Sequence, residues 1–154
     1  MGPQEAIKSC FQDYFKFSGR ARRPEFWWFT LFTTLGWLFL DQIDALVWGE
    51  EMLVGFGGLF TLLTFVPHLA VIWRRLHDVG RPGWLAVILF LAQMLLFFMI
   101  SLTLASTAGG GGPPVVFSLT MLGLAGVMVF VFVLFAMPSQ PGDNRYGPEP
   151  PAGS

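Results

Sequence analysis

The feature that most constrains the fold is the regular alternation of long apolar stretches with short polar segments. A helix needs about 20 mostly apolar residues to cross a bilayer, and four stretches reach that length. They are Phe26–Trp48, Leu53–Trp73, Trp84–Leu104 and Val115–Met137. The first is the least regular, because two aspartates and a glutamine interrupt it before Trp48. The pattern predicts an all-α integral membrane protein with four spanning helices that pack as a four-helix bundle.

The composition supports lipid as the solvent for much of the chain. Of the 154 residues, 54% are hydrophobic and only 12% are charged, whereas soluble domains have about 25% charged residues. We interpret residues 1–148 as a single four-span membrane domain. No small-residue cleavage site follows the first apolar stretch, so we expect it to be retained. Residues 149–154, rich in Pro and Gly, are predicted to form a disordered tail.

The positive charges predict the orientation of the spans. Lys and Arg residues are enriched in cytoplasmic loops, and all nine would lie on one side of the predicted topology. They are Lys8, Lys16, Arg20, Arg22, Arg23, Arg74, Arg75, Arg81 and Arg145. The opposite segments contain only acidic charges, namely Asp41, Asp44, Glu50 and Glu51. Both termini are therefore predicted to be cytoplasmic.

The N-terminal segment has the spacing of an amphipathic helix of about three turns. One face would carry Ile7, Cys10, Phe11, Tyr14, Phe15 and Ser18. The glycine at position 19 suits a helix C-cap. We expect this helix to lie in the inner membrane interface, and packing on the cytoplasmic loops is an alternative that the pattern leaves open.

The hairpin between the second and third stretches reads WRRLHDVGRPGW. Asp78 follows Arg74 by four residues and Arg75 by three, so one helical ion pair is expected. Gly80 can end the helix in a left-handed conformation. The chain has only two histidines, and the spacing of His68 and His77 does not make a metal site. We therefore predict no metal, no cofactor and no catalytic residue.

Three segments carry a resemblance to a known family. They are Phe15–Trp27 (FKFSGRARRPEFW), Arg74–Trp84 (RRLHDVGRPGW) and Pro141–Pro148 (PGDNRYGP). They resemble the hallmarks of the domain-of-unknown-function 805 family, small bacterial inner-membrane proteins of the YhaH type. The resemblance covers almost the whole chain and implies a multi-pass protein of the bacterial inner (plasma) membrane with four spans. It implies no activity, since none is assigned to the family.

The resemblance and the topology together place all three motifs on the cytoplasmic face. The candidate ligand-binding residues are Arg20, Arg23, Arg74, Arg75, His77, Asp78, Arg81, Asn144, Arg145 and Tyr146. Arginine forks suit phosphate and carboxylate groups, and basic pockets beside spans suit anionic lipids. We predict a non-enzymatic protein that binds membrane lipids, specifically an anionic lipid headgroup, or a protein partner, and no nucleic acid. The alternative is a structural network in which Arg23, Arg74 and Arg75 pair with Glu25, Asp78 and Asp143.

Polar residues inside the spans raise a separate functional question. At 1.5 Å per residue, Thr34, Thr64 and Gln93 would lie about 13 Å from the inner ends of their helices. We predict a hydrogen bond from Gln93 across the bundle, with Thr64 as the expected partner. His68 would lie nearer the inner end. Two other functions stay open: a small transporter or channel, formed by a homo-oligomer and using His68 and His77, and an enzyme acting on lipid headgroups.

Overall fold

A computed structural model describes residues 1–49, 55–108 and 114–150. Its five helices are α1 (Pro3–Gln12), α2 (Arg23–Trp48), α3 (Phe56–Asp78), α4 (Leu85–Ala108) and α5 (Pro114–Ala136). These ranges include no strand, and the all-α class is confirmed. The first residues of the predicted second span, the turn at 109–113 and the tail at 151–154 lie outside the described residues.

The chain forms two compact units. The first contains residues 1–83 together with the C-terminal segment from Ser139, and the second contains residues 84–138. Helices α1 to α3 thus belong to the first unit, and α4 and α5 to the second. The predicted four-helix bundle and the predicted cytoplasmic termini stay predictions.

Three of the helices are long and apolar enough to cross a membrane. These spans are Phe56–Asp78, Leu85–Ala105 and Phe117–Ala136. Helix α2 is also long enough, at 26 residues, but its tryptophans, threonines and two aspartates lower its mean hydropathy. It continues unbroken through Asp41 and Asp44 to Trp48, so the interrupted first stretch forms one helix.

Helix α3 begins with a cap that comes from α2. The Asp44 carboxylate accepts hydrogen bonds from the backbone N–H groups of Phe56 and Gly57, both at 2.8 Å. The first N–H groups of a helix have no partner within the helix, and a negative charge there also complements the helix dipole. Local capping patterns cannot reveal this bond, because the acceptor precedes Phe56 by 12 residues.

Substituting Asp44 by Ala should remove this cap and lower the free energy of unfolding by about 1–2 kcal/mol. Unfolding in mild detergent, followed by circular dichroism, would measure the loss. Asp41→Ala is the control, since Asp41 is exposed on the same helix. Equal losses at both positions would contradict the capping role.

Helix α1 lies earlier in the chain than its sequence pattern suggests. It has 10 residues, which matches the predicted three turns, but it ends at Gln12, so the expected C-cap at position 19 is wrong. Asp13 follows the helix as its C-cap residue, and its carboxylate pairs with Arg74 at 3.1 Å. The Phe11 ring packs edge-on against Phe29 of α2, with ring centroids 5.6 Å apart. The apolar face therefore packs partly on protein, and the interfacial position stays a prediction.

Candidate functional site

The centre of the predicted cytoplasmic cluster is a buried carboxylate. Arg20 Nε donates to Asp78 Oδ1 at 2.9 Å, and Arg75 Nη1 and Ser139 Oγ both donate to Oδ2. The side chains of Arg20, Arg75 and Asp78 are 0% exposed. We call Arg20, Arg75, Asp78 and Ser139 the Asp78 clasp. The helical ion pair expected for Asp78 is confirmed, with Arg75 as the partner.

The clasp fixes the C-terminal segment on the hairpin. Arg20 also donates through Nη1 to the carbonyl of Gly142, at 2.6 Å, and through Nη2 to that of Gln140. The backbone N–H of Gln140 donates to the backbone carbonyl of Asp78 at 2.9 Å. Asn144 Nδ2 donates to the His77 carbonyl at 3.0 Å. All three described hydrogen bonds of the Arg20 guanidinium are therefore made to other residues of the protein.

His77 lies in an aromatic stack. Its ring is parallel to that of Tyr146 within 3°, with centroids 3.9 Å apart, and the Arg145 guanidinium lies 4.6 Å from the Tyr146 ring centre. His77 Nδ1 is 3.1 Å from the Gly19 carbonyl. A carbonyl can only accept, so Nδ1 carries the proton and donates. The imidazole thus connects the segment before α2 with the C-terminal segment.

Arg74 centres a second ion-pair group, between α1 and α2. Its Nη1 lies 2.9 Å from Glu25 Oε1 and 3.1 Å from Asp13 Oδ2. The Cys10 thiol contacts the same Glu25 oxygen at 3.9 Å. Burial, together with the Glu25 charge, raises the pKa of Cys10 to about 12, so the thiol is protonated at neutral pH. Sequence reasoning gave this cysteine no role, because its partner lies 15 residues away.

The predicted binding residues differ in whether they are buried or exposed. Arg20, Arg74, Arg75, His77 and Asp78 are buried, and their described contacts are internal. Two pairs proposed for a structural network are present, Arg74–Glu25 and Arg75–Asp78. In contrast, Arg81 and Arg145 are exposed.

A cavity of about 220 Å³ opens beside the first turn of α2. It is lined by Arg22, Arg23, Pro24, Ser139, Glu149 and Pro150. Arg22 is the N-cap residue of α2, and its Nη2 donates to the Pro150 carbonyl. The Glu149 carboxylate accepts the Gly142 amide at 2.6 Å, so the lining carries two positive charges and one negative charge. Sequence reasoning missed Glu149, because it assigned residues 149–154 to a disordered tail.

A separate polar group joins α2 and α3. His68 Nε2 lies 3.4 Å from the Thr30 hydroxyl, and Nδ1 lies 3.4 Å from the Thr33 hydroxyl. The Thr33 hydroxyl donates to the Thr30 carbonyl at 3.0 Å. Its oxygen can then accept from Nδ1–H of His68. The two threonine hydroxyls thus give both ring nitrogens a polar neighbour.

The other predicted intramembrane residues are placed differently. Thr34 is exposed on α2, and Thr30 and Thr33 face His68 instead. The Thr64 hydroxyl is buried and donates to the Phe60 carbonyl in its own helix at 2.8 Å. The contact predicted for Gln93 stays a prediction.

Comparisons with known proteins identify the family of the chain. The family described as "Protein of unknown function (DUF805)" matches residues 14–148. Inner membrane protein YhaI of Escherichia coli (strain K12) is 35% identical over 146 residues, which is 95% of each chain. Inner membrane protein YhaH of the same strain is 31% identical over 142 residues, 90% of each chain. No solved structure matches the chain. With three helices able to cross a membrane and these relatives, the chain belongs to the DUF805 family of inner-membrane proteins.

Proposed function

We propose that this protein binds the phosphate group of an anionic lipid at the cytoplasmic face of the inner membrane, without catalysing a reaction. The proposed site is the cavity at the start of α2. The observation that carries the proposal is that two consecutive arginines, Arg22 and Arg23, line this cavity. The cytoplasmic assignment follows from the tendency of Lys and Arg to remain on that side of the membrane.

The electrostatics of the cavity favour a phosphate. The start of a helix carries a partial positive charge and backbone N–H groups that suit anions. Pro24 has no N–H, so it cannot donate to an anion at this helix start. The negative charge of Glu25, which could repel a phosphate, is already paired with Arg74. Arginine guanidinium groups bind phosphate oxygens in a bidentate manner. A basic residue near an anionic membrane surface contributes about 1 kcal/mol of attraction.

The buried arginines differ in role from the arginines that line the cavity. Arg20 and Arg75 share the Asp78 carboxylate inside the protein, so a ligand would have to break the clasp to reach them. His68 and His77 each have local partners, the two threonines of α2 and the Tyr146 ring. Those packing roles favour a binding protein over a transporter, a channel or a headgroup enzyme. Partner protein binding and homo-oligomer formation are outcomes that the experiment below can reveal.

The test is lipid binding by purified protein in mild detergent, measured by native mass spectrometry with phosphatidylglycerol and with neutral phosphatidylcholine. We expect the wild-type protein to prefer phosphatidylglycerol. The double variant Arg22→Gln/Arg23→Gln should bind it about 10- to 30-fold more weakly, since two hydrogen bonds to the phosphate of about 1 kcal/mol each are lost.

The matched control is Lys8→Gln/Arg81→Gln, which removes the same charge at two exposed residues. It should leave the affinity for phosphatidylglycerol within about 3-fold of wild type, because exposed charges outside the cavity are screened by solvent and salt. An equal loss in both double variants would indicate general surface attraction and overturn the site. Displacement of the lipid by equimolar inorganic phosphate would assign the cavity to soluble phosphate esters instead. A co-purified protein without retained lipid would also contradict the proposal.

A further inference from the structure

Helix α3 contains a proline at its centre. Pro67 lies 11 residues after Phe56 and 11 residues before Asp78, the two ends of the helix. Proline has no backbone N–H, so the carbonyl four residues earlier loses its partner within the helix. That carbonyl belongs to Leu63. In a helix able to cross a membrane, a backbone carbonyl without a donor costs several kcal/mol, unless another group supplies one.

The missing donor comes from the N-terminal segment. The Tyr14 hydroxyl donates to the Leu63 carbonyl at 2.8 Å, an ordinary length for a hydrogen bond from a hydroxyl. The two residues are 49 positions apart, so this contact depends on tertiary structure alone. The acceptor is the carbonyl that has no backbone N–H partner because residue 67 is a proline.

Contacts of the residues just before Tyr14 hold it there. The preceding residue, Asp13, pairs with Arg74 at 3.1 Å. One turn earlier, the Phe11 ring lies edge-on to Phe29 and Phe32 of α2, with centroids at 5.6 and 6.2 Å. The end of α1 is therefore fixed against both α2 and α3.

We propose that the N-terminal segment is a strap across a hinge in α3. In the docked state, Tyr14 supplies the hydrogen bond that Pro67 removes and restrains α3 at this point. Release of the segment leaves the Leu63 carbonyl without a donor, and α3 is then free to bend further at Pro67, the place where proline-containing helices kink. His68 follows the hinge directly, so bending moves its ring relative to Thr30 and Thr33. The strap thereby couples the N-terminal segment to the polar group between α2 and α3.

Hydrogen–deuterium exchange of the protein in detergent tests the strap. Tyr14→Phe keeps the ring and removes only the donor. We expect the amides of residues 64–71 to exchange about 5- to 10-fold faster, in line with the loss of one hydrogen bond. In a Pro67→Ala background, residue 67 regains an N–H for the Leu63 carbonyl. Tyr14→Phe should then change exchange by less than about 2-fold.

Tyr146→Phe is the matched control, since it removes the other tyrosine hydroxyl of the chain and should leave residues 64–71 unchanged. The proposal is overturned if Tyr14→Phe has the same effect with and without Pro67. It is also overturned if faster exchange spreads evenly over α2 and α3, because that result would show general destabilisation and no hinge.

Discussion

Asp78→Asn is expected to lower the free energy of unfolding by about 3–5 kcal/mol, the usual cost of leaving a buried charge without its partner. The substitution keeps the shape of the side chain but removes the charge that Arg20 and Arg75 share. Both guanidinium groups would remain 0% exposed with no counter-ion in the clasp. The new amide nitrogen would also face a donor, where the native carboxylate only accepts.

The loss should be visible in two measurements. Unfolding in mild detergent gives the change in free energy. Limited proteolysis should show faster cleavage after Ser139, because Arg20 and Asp78 together hold Gln140 and Gly142. The matched control is Asp143→Asn, an exposed acid whose described contact is with the Glu149 amide. If Asp78→Asn stays within about 0.5 kcal/mol of that control, the clasp does not hold the segment.

Local spacing predicted only half of the clasp. Asp78 and Arg75 are three residues apart on one helix, and that spacing alone places their side chains on the same face. The contribution of Arg20 could not be predicted, because it depends on how the connection between α1 and α2 crosses the end of α3. The Ala21 amide donates to the Arg74 carbonyl at 3.1 Å, and this backbone contact fixes that crossing.

The apolar lengths predicted four spans, and three of the corresponding helices are apolar enough to cross a membrane, since length and composition decide whether a helix can span. Polar residues within them were harder to assign. Depth alone points to Thr34, whereas the helix phase decides which threonines face α3, and these are Thr30 and Thr33. The sequence places Asp44 only in the outer polar segment, although it caps α3. In both cases the missing information is the relative rotation of α2 and α3.

The candidate cavity shows the same limit. Arg23 could be predicted for the cytoplasmic face from charge and family motif, but a charge pattern does not reveal concave surface. The cavity exists because Glu149 and Pro150 lie against the start of α2. A Pro- and Gly-rich segment gives no periodic signal for such a position, so composition favoured disorder there.

Gly83→Ala should destabilise the protein by about 3 kcal/mol, the upper part of the usual range for adding a carbon to a tightly packed site. A Cβ at this position would lie 2.0 Å from Nε1 of the Trp73 indole and 2.1 Å from its Cε2. The indole cannot move away easily, because Phe17 and His77 lie edge-on to it, with ring centroids at 5.7 and 6.3 Å. Relief of the collision would therefore disturb the stack of His77 on Tyr146.

Thermal unfolding in detergent would measure the effect, with Gly123→Ala as the control. A Cβ on Gly123 would meet no described atom within 4 Å, and Ala favours a helix over Gly. The double variant Trp73→Phe/Gly83→Ala should recover part of the loss, since the smaller ring leaves room for the new carbon. If Gly83→Ala destabilised the protein as little as Gly123→Ala does, the close approach of Gly83 to the Trp73 indole would be absent. The expected loss distinguishes the two hairpin glycines, because Gly80 serves the turn through its φ of +74°, whereas Gly83 makes room for an indole.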